Sequence, residues 1–355
     1  MSKLPFSLIS CHSNLTVIPV YPTTILKPIN KMKKLFISLL AVLFTATAYA
    51  AGKYDNPDTL FVARDGTGQF RTVSEAVEVC RAFMEYHKVI YVKNGVYKEK
   101  IVIPSWLTNI EICGESADNT IITYDDHANI RLPETNKPMG TFRTYTVKVE
   151  GSDITFKNIT IENNAAKLGQ AVAIHTEGDR ITFIGCRLIG NQDTVYTGVG
   201  GTRLYFKDCY IEGTTDFIFG PSTAWFENCT IHSKANSYVT AASTPQDVQF
   251  GYVFNRCRLT AAPGITKVYL GRPWRPYAYT LFMNCDLGGH IVAAGWHNWK
   301  NPKNEQTARY REYNNTGDGA KTSERVSWSK QLTKKEAAQI TLENVLKDWK
   351  PTMLN

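Results

Sequence analysis

An all-β, single-domain right-handed parallel β-helix, closed at both ends by short helices, is the fold this sequence predicts. Three observations predict it: a six-fold repeat with one spacing rule, apolar alternation too short for helices inside each copy, and helix-start signals confined to the two ends. The repeat is Phe156-Lys-Asn-Ile159-Thr-Ile161, Phe183-Ile-Gly-Cys186-Arg-Leu188, Phe206-Lys-Asp-Cys209-Tyr-Ile211, Phe226-Glu-Asn-Cys229-Thr-Ile231, Phe254-Asn-Arg-Cys257-Arg-Leu259 and Phe282-Met-Asn-Cys285-Asp-Leu287. From residue 159 to Cys285 its steps are 27, 23, 20, 28 and 28 residues, the range in which a period marks a solenoid. Alternation of Phe, Cys and Leu or Ile within a copy suits a strand. The expectation is therefore one strand per coil at fixed register, turns absorbing the length differences, with the Phe and Cys positions forming inward ladders.

The ends read differently. Thr72-x-x-Glu75 is a capping box followed by Ala76, Val77, Cys80 and Met84 at helical spacing, and predicts a helix that covers the open end of the solenoid. Thr333-x-x-Glu336, followed by Ala337, Ile340, Val345 and Trp349, predicts one C-terminal helix docked on the coils. No linker or low-complexity run separates these signals, so residues 57–350 are expected to form one β-helix domain.

Residues 1–50 read as an extension and a secretory signal peptide. Lys33-Lys34 precede an apolar run from Leu35 to Phe44, and Ala48-Tyr-Ala50 offers a small-x-small cleavage site with the mature chain starting near Ala51. The apolar run is too short to span a bilayer, so no stable membrane span is expected after its removal. The leader pattern begins at Met32, which leaves Met1 or Met32 as the translation start. A secreted or periplasmic protein is expected.

The formal charge of +8 belongs mostly to that leader, since residues 1–50 hold five lysines and no acid. The remaining 35 basic and 32 acidic side chains leave a mildly basic +3, which does not support a nucleic-acid footprint. Seven cysteines follow residue 50, five at one repeat position, and a ladder position favours buried apolar thiols over disulfides. The six histidines after residue 50 (His87, His127, His175, His232, His290 and His297) show no paired metal-ligand spacing. Asp65-Gly-Thr-Gly68 lacks the Lys-Ser/Thr of a phosphate loop, and no Gly-x-Ser-x-Gly elbow occurs.

The repeat also aligns chemistry. Asp193 and Asp216 each lie seven residues after the repeat cysteine, so stacking puts two carboxylates about 4.8 Å apart along the solenoid. Two such groups repel when both are ionised, so one holds a proton or a cation intervenes. That arrangement suits a nucleophile with an acid–base partner, a calcium site, or a retaining glycosidase. Leu270-Gly-Arg272-Pro-Trp274 reads equally as a surface arginine beside a core tryptophan or as a guanidinium that forks onto a carboxylate, keeping Asp216 ionised while Asp193 stays protonated. Gln170 and Gln192 are neutral amide donors suited to an ester oxyanion. Trp296 and Trp299 fit a sugar platform or the core equally well.

On these and further segments the chain resembles the pectin methylesterase (pectinesterase) family of parallel β-helix enzymes. The matching segments are Gly95-Val-Tyr97-Lys-Glu99, Gly140-Thr141-Phe142-Arg-Thr, Gln170-Ala-Val-Ala173, Gln192-Asp193-Thr-Val-Tyr196, Asp216-Phe-Ile-Phe-Gly220, Leu270-Gly-Arg-Pro-Trp274, Ala294-Gly-Trp296, and Glu312-Tyr-Asn-Asn-Thr-Gly317 through Arg325-Val-Ser-Trp328. The resemblance covers about residues 57–350. It implies a carboxylic ester hydrolase that demethylates homogalacturonan, with Asp216 as nucleophile, Asp193 as general acid and base, Gln170 and Gln192 on the oxyanion, and Arg272 orienting the nucleophile. It further implies substrate contacts from Thr141, Gln170, Arg272, Trp274, Phe142, Tyr196 and Phe219, a monomer, and no metal or organic cofactor. A β-helix polygalacturonate hydrolase or calcium-dependent lyase is the alternative reading. Tyr145, where many members carry Ala, and Arg275-Pro-Tyr277 depart from the family pattern and bear on subsite preference.

Overall fold

The computed structural model describes residues 52–351, so the expected extension, leader and cleavage site lie outside the described residues. Three parallel sheets of eleven, eight and seven strands wind into a right-handed β-helix. Each central coil visits them in that order: Ile154–Lys157 in the eleven-stranded sheet, Thr160–Asn163 in the eight-stranded sheet and Ile174–Thr176 in the seven-stranded sheet. One strand per coil is therefore corrected to three.

The correction has a local cause. The Phe-x-x-Cys-x-Leu unit is a corner joining two strands, and the residue before the Cys position turns it. Asn158, Gly185, Asp208, Asn228, Arg256 and Asn284 all sit there with φ between 48° and 60°. Left-handed backbone costs an ordinary L-residue about 1–2 kcal/mol, and Asn, Asp and Gly bear it best. Five of the six corners use those residues. At the sixth, Arg256 binds the Glu227 carboxylate of the preceding coil, Nε to Oε1 at 2.7 Å.

The inward ladders form as expected. Phe156, Phe183, Phe206, Phe226, Phe254 and Phe282 pair in register, with successive ring centroids 5.1, 4.7, 4.5, 4.3 and 4.4 Å apart and planes within 10°. Burying one such ring contributes about 1.5–3 kcal/mol and its stacking about 0.5–1.5 kcal/mol more. Beside them Cys186, Cys209, Cys229, Cys257 and Cys285 are buried free thiols. Each Sγ–H donates to the carbonyl of the preceding coil's Phe, as from Cys186 to Phe156 at 3.3 Å and from Cys257 to Phe226 at 3.4 Å.

Helix α1, Val73–Glu78, starts at the expected Thr72–Glu75 capping box. The Glu99 carboxylate accepts from the Val73 and Ser74 amides at 3.0 and 2.9 Å, satisfying two free helix-start donors. Val73, Ala76 and Val77 seal the first coils. The C-terminal expectation is corrected from one helix to two: α2, Lys334–Ala337, and α3, Leu342–Leu346. Thr341 caps Asn344 and begins a new helix, because the chain must turn to lay Ile340, Val345, Leu346 and Trp349 on Tyr205, Trp225 and Val253 of the eleven-stranded sheet. Arg203 fastens this segment by donating to the Leu346 carbonyl and the Asp348 carboxylate at 3.0 and 2.7 Å.

Truncating the ladder at Phe206→Ala should cost about 3–5 kcal/mol in urea unfolding, since both stacked neighbours hold the cavity open. The exposed neighbour Lys207→Ala should change stability by no more than about 0.5 kcal/mol.

Candidate active site

The seven-stranded sheet carries the site on its outer face. Val195↔Ile218 and Tyr196↔Phe219 pair in register, so the two turns leading into these strands stack, and Asp193 and Asp216 occupy equivalent places in them. The Asp193 amide donates to Thr215 O at 3.1 Å and the Asp216 amide to Tyr238 O at 2.9 Å, continuing the ladder through the turn. Both aspartates are left-handed, with φ of 69° and 49°. Asp is among the few L-residues that tolerate this region, and such backbone gathers at functional sites. Gln170 and Gln192 form a parallel bridge one coil earlier, and the Ala171 amide donates to Gln192 O at 3.0 Å.

Thr141 and Phe142 come from a separate 3-10 turn, Thr141–Arg143, opened by Gly140 at φ 77°. Two buried residues clamp it to the Gln170 segment. The Thr144 hydroxyl donates to Thr141 O at 2.7 Å and accepts from the Val172 amide at 2.9 Å. The Asn163 amide donates to Thr144 O and Val172 O at 2.9 and 3.1 Å.

A pocket of about 200 Å³ results, lined by Thr141, Phe142, Gln170, Gln192, Asp193, Asp216, Phe219, Ala241, Arg272, Trp274 and Trp299. Nine of the ten residues singled out from sequence line it. The tenth, Tyr196, packs its ring against Phe142 at 4.9 Å and Phe219 at 4.6 Å. Phe219 meets Trp274 edge-on at 5.8 Å, extending an aromatic floor along the sheet. His175 continues that floor beneath Tyr196, at 4.6 Å; burial pushes its pKa down to about 4, so it is neutral there. The two ambiguous tryptophans separate, Trp296 stacking on Tyr310 in the core and Trp299 lining the pocket.

Electrostatics divide the carboxylates. Arg272 grips Asp216 with both arms, Nε to Oδ1 at 2.9 Å and Nη2 to Oδ2 at 2.6 Å, the fork geometry that favours a carboxylate. Burial pushes the Asp216 carboxyl above its ordinary value while Arg272 pulls it back. Burial pushes Asp193 much further, the Asp216 charge adds to the rise, and Arg272 opposes it only from a distance. Asp216 therefore ionises first and Asp193 keeps a proton. Among the described residues no group of three or more His, Cys, Asp or Glu side chains converges as metal ligands. The neighbours of the pair are amides, aromatic rings and a guanidinium, unlike the shell of six to eight oxygens that calcium takes.

Sequence reasoning did not find Asn163, Ala241 or Tyr238, and gave Thr144, the end of the Gly140-Thr141-Phe142-Arg-Thr segment, no role. Tyr238 and Trp299 both lie over the Arg272 guanidinium, whose carbon is 3.9 Å from the Tyr238 ring centre and 3.7 Å from that of Trp299. The signal that was available is the coil register, which places Thr240 beside Gly271 and hence the 238–241 segment beside Arg272.

A carboxyl whose pKa is raised by folding destabilises the fold as pH climbs above its unfolded value, and the cost stops growing above the folded value. Asp193→Asn should thus be more stable than the parent near neutral pH, with the Tm gap shrinking toward pH 4. A gap independent of pH would contradict the raised pKa of Asp193.

The family model described as Pectinesterase matches residues 59–348. Pectinesterase 31 of Arabidopsis thaliana is 39% identical over 281 residues, covering 78% of this chain and 88% of that protein. Among solved structures, pectin methylesterase from carrot superposes with a TM-score of 0.75 at 33% identity, covering 83% of this chain and 94% of that one. A pectin methylesterase in complex with a hexasaccharide gives 0.73 at 29% identity, covering 83% and 98%. The matched span contains the stacked aspartates, their arginine and the whole pocket, and the chain belongs to the pectinesterase family.

Proposed function

We propose that this enzyme hydrolyses the methyl esters of pectin, releasing methanol and leaving polygalacturonate, with Asp216 as nucleophile and Asp193 as general acid and base. The observation that carries the assignment is the unequal treatment of two stacked carboxylates: one held by a bidentate guanidinium, the other buried without a cation of its own. An Asp216 oxygen attacks the ester carbonyl carbon, and the oxygen that becomes negative is met by the amide donors of Gln170 and Gln192. Asp193 gives its proton to the methoxy oxygen as the C–O bond breaks and methanol leaves. Water then adds to the acyl group on Asp216, losing its proton to Asp193, and both carboxyls return to their starting states.

Arg272 holds the nucleophile, Trp274 walls the sugar groove and Thr141 contacts the chain. Phe142, Tyr196 and Phe219 offer apolar faces to pyranose rings and methyl groups. The similarity to a pectin methylesterase solved with a hexasaccharide supports a polymeric substrate in this groove. The mechanism uses no metal or organic cofactor. We further propose that residues 57–350 are the whole catalytic domain, that it acts as a monomer, and that the enzyme is exported to the periplasm or beyond. Among the described residues no helix is long and apolar enough to cross a membrane. Cleavage of the polymer by a hydrolase or calcium-dependent lyase is the disfavoured alternative, because the family match is to esterases and, for the lyase, no cluster of acidic ligands converges among the described residues.

Asp216→Ala should abolish methanol release from highly methylated pectin while retaining the parent circular dichroism, and viscosity should stay constant with both proteins. Methanol release by the variant, or a fall in viscosity with the parent, would overturn the reading. Gln192→Ala should lower kcat by about 10²–10³-fold, as loss of an oxyanion donor does. Activity needs Asp216 ionised and Asp193 protonated, so kcat should rise and then fall with pH, the two limbs belonging to the coupled pair. A plateau persisting to alkaline pH would exclude Asp193 as the acid.

A further inference from the structure

Tyr238 touches both sides of the central ion pair without lining the pocket. Its carbonyl accepts the Asp216 amide proton at 2.9 Å, and its ring centre lies 3.9 Å from the guanidinium carbon of Arg272. Trp299 lies 3.7 Å from the same carbon. Two ring centres this close to one planar group fit only on its opposite faces. One edge of the guanidinium is taken by Asp216, and the Arg272 side chain keeps only 19% of its surface exposed.

The clamp is itself braced. Tyr238 stacks on Tyr269 of the next coil at 5.4 Å and packs on His297 at 5.3 Å, while Tyr269 and His297 meet at 5.4 Å. Trp299 is left-handed at φ 61°, and its amide donates to His297 Nδ1 at 3.0 Å. His297 thus packs on the Tyr238 ring and anchors the backbone that carries Trp299. An arginine has several rotatable bonds, and its fork matches a carboxylate only when their planes agree.

We propose that Tyr238 is a positioning residue for ester hydrolysis, its ring fixing the plane of Arg272 so that the guanidinium stays forked on Asp216. The inference rests on the reading of Asp216 as nucleophile. Tyr238 acts through Arg272, whereas Trp299 also borders the pocket and has a second route to the substrate. The ionisable groups facing the ion pair are Asp193, His297 and Tyr310, with Lys300 next to His297. Burial with the Asp216 charge keeps Tyr310 neutral, and burial with Arg272 and Lys300 favours neutral His297.

Tyr238→Ala, Tyr238→Leu and Tyr238→Phe test the proposal by methanol release from highly methylated pectin across pH. Removing the planar face in the Ala and Leu variants should lower kcat on the order of tenfold to a hundredfold, as small misplacements at a reacting centre do. KM should stay within about twofold of the parent, because no substrate contact is lost. The acidic limb of kcat should move to higher pH, since a loosened Arg272 lowers the Asp216 pKa less. Tyr238→Phe keeps the ring and should keep the parent kcat and pH limb. The Leu variant keeps a branched apolar side chain in the strand, and its Tm separates loss of alignment from loss of fold. Parent-like kcat and pH limb in the Leu variant, a change in KM alone, or an equal defect in the Phe variant would overturn the clamp. A parent that releases no methanol would instead overturn the ester-hydrolase reading beneath it.

Discussion

In-register parallel pairing is the constraint on which everything else in this molecule depends. Once Phe183 lies beside Phe206, the residues that follow at the same offset in those two coils are stacked as well, Val195 on Ile218 and Tyr196 on Phe219, whatever their chemistry. Phenyl rings and thiols gain by this, packing into continuous columns inside. Two aspartates at one offset do not, since stacking forces like charges together. The fold thus creates an electrostatic conflict at one place on its surface, and Arg272, from the coil that follows Tyr238, resolves it in favour of Asp216.

The conflict has chemical value because its resolution is uneven. A cation placed midway would leave both carboxylates ionised and interchangeable. A guanidinium forked onto one of them favours the anion there and leaves the other as a buried acid, the asymmetry on which the proposed pairing of nucleophile and proton donor rests. The aromatic floor of Phe142, Tyr196, Phe219 and Trp274 extends outward from the pair, with Tyr196 and Phe219 stacked on adjacent coils and Phe142 and Trp274 packed at either end.

Much of this was legible in the sequence, for a reason tied to the repeat. A fixed offset from Cys186 and Cys209 located both catalytic candidates before any coordinate was known, and the resemblance to a known family located the rest. The strand count per coil was not legible, because Asn158, Asp208 and Asn228 look like ordinary polar residues inside an alternating strand until their left-handed backbone is seen. The C-terminal region misled for a related reason: Thr341 reads as one more polar residue in a helical pattern, yet it ends one helix and caps another. Tyr238 and Asn163 escaped because each acts across coils on a backbone group or a side-chain plane, and neither leaves a motif.

The thiol column carries a consequence of its own. Five cysteines lie one per coil, each sealed from solvent and each engaged with the carbonyl of the coil before it. A small alkylating reagent can reach a given sulfur only when that coil parts from its neighbour, so the rate of modification at each position measures how often that stretch of the solenoid opens. Cys113, outside this column and only partly buried, supplies an internal reference. The molecule therefore contains its own set of local-unfolding reporters, spaced a coil apart along its axis.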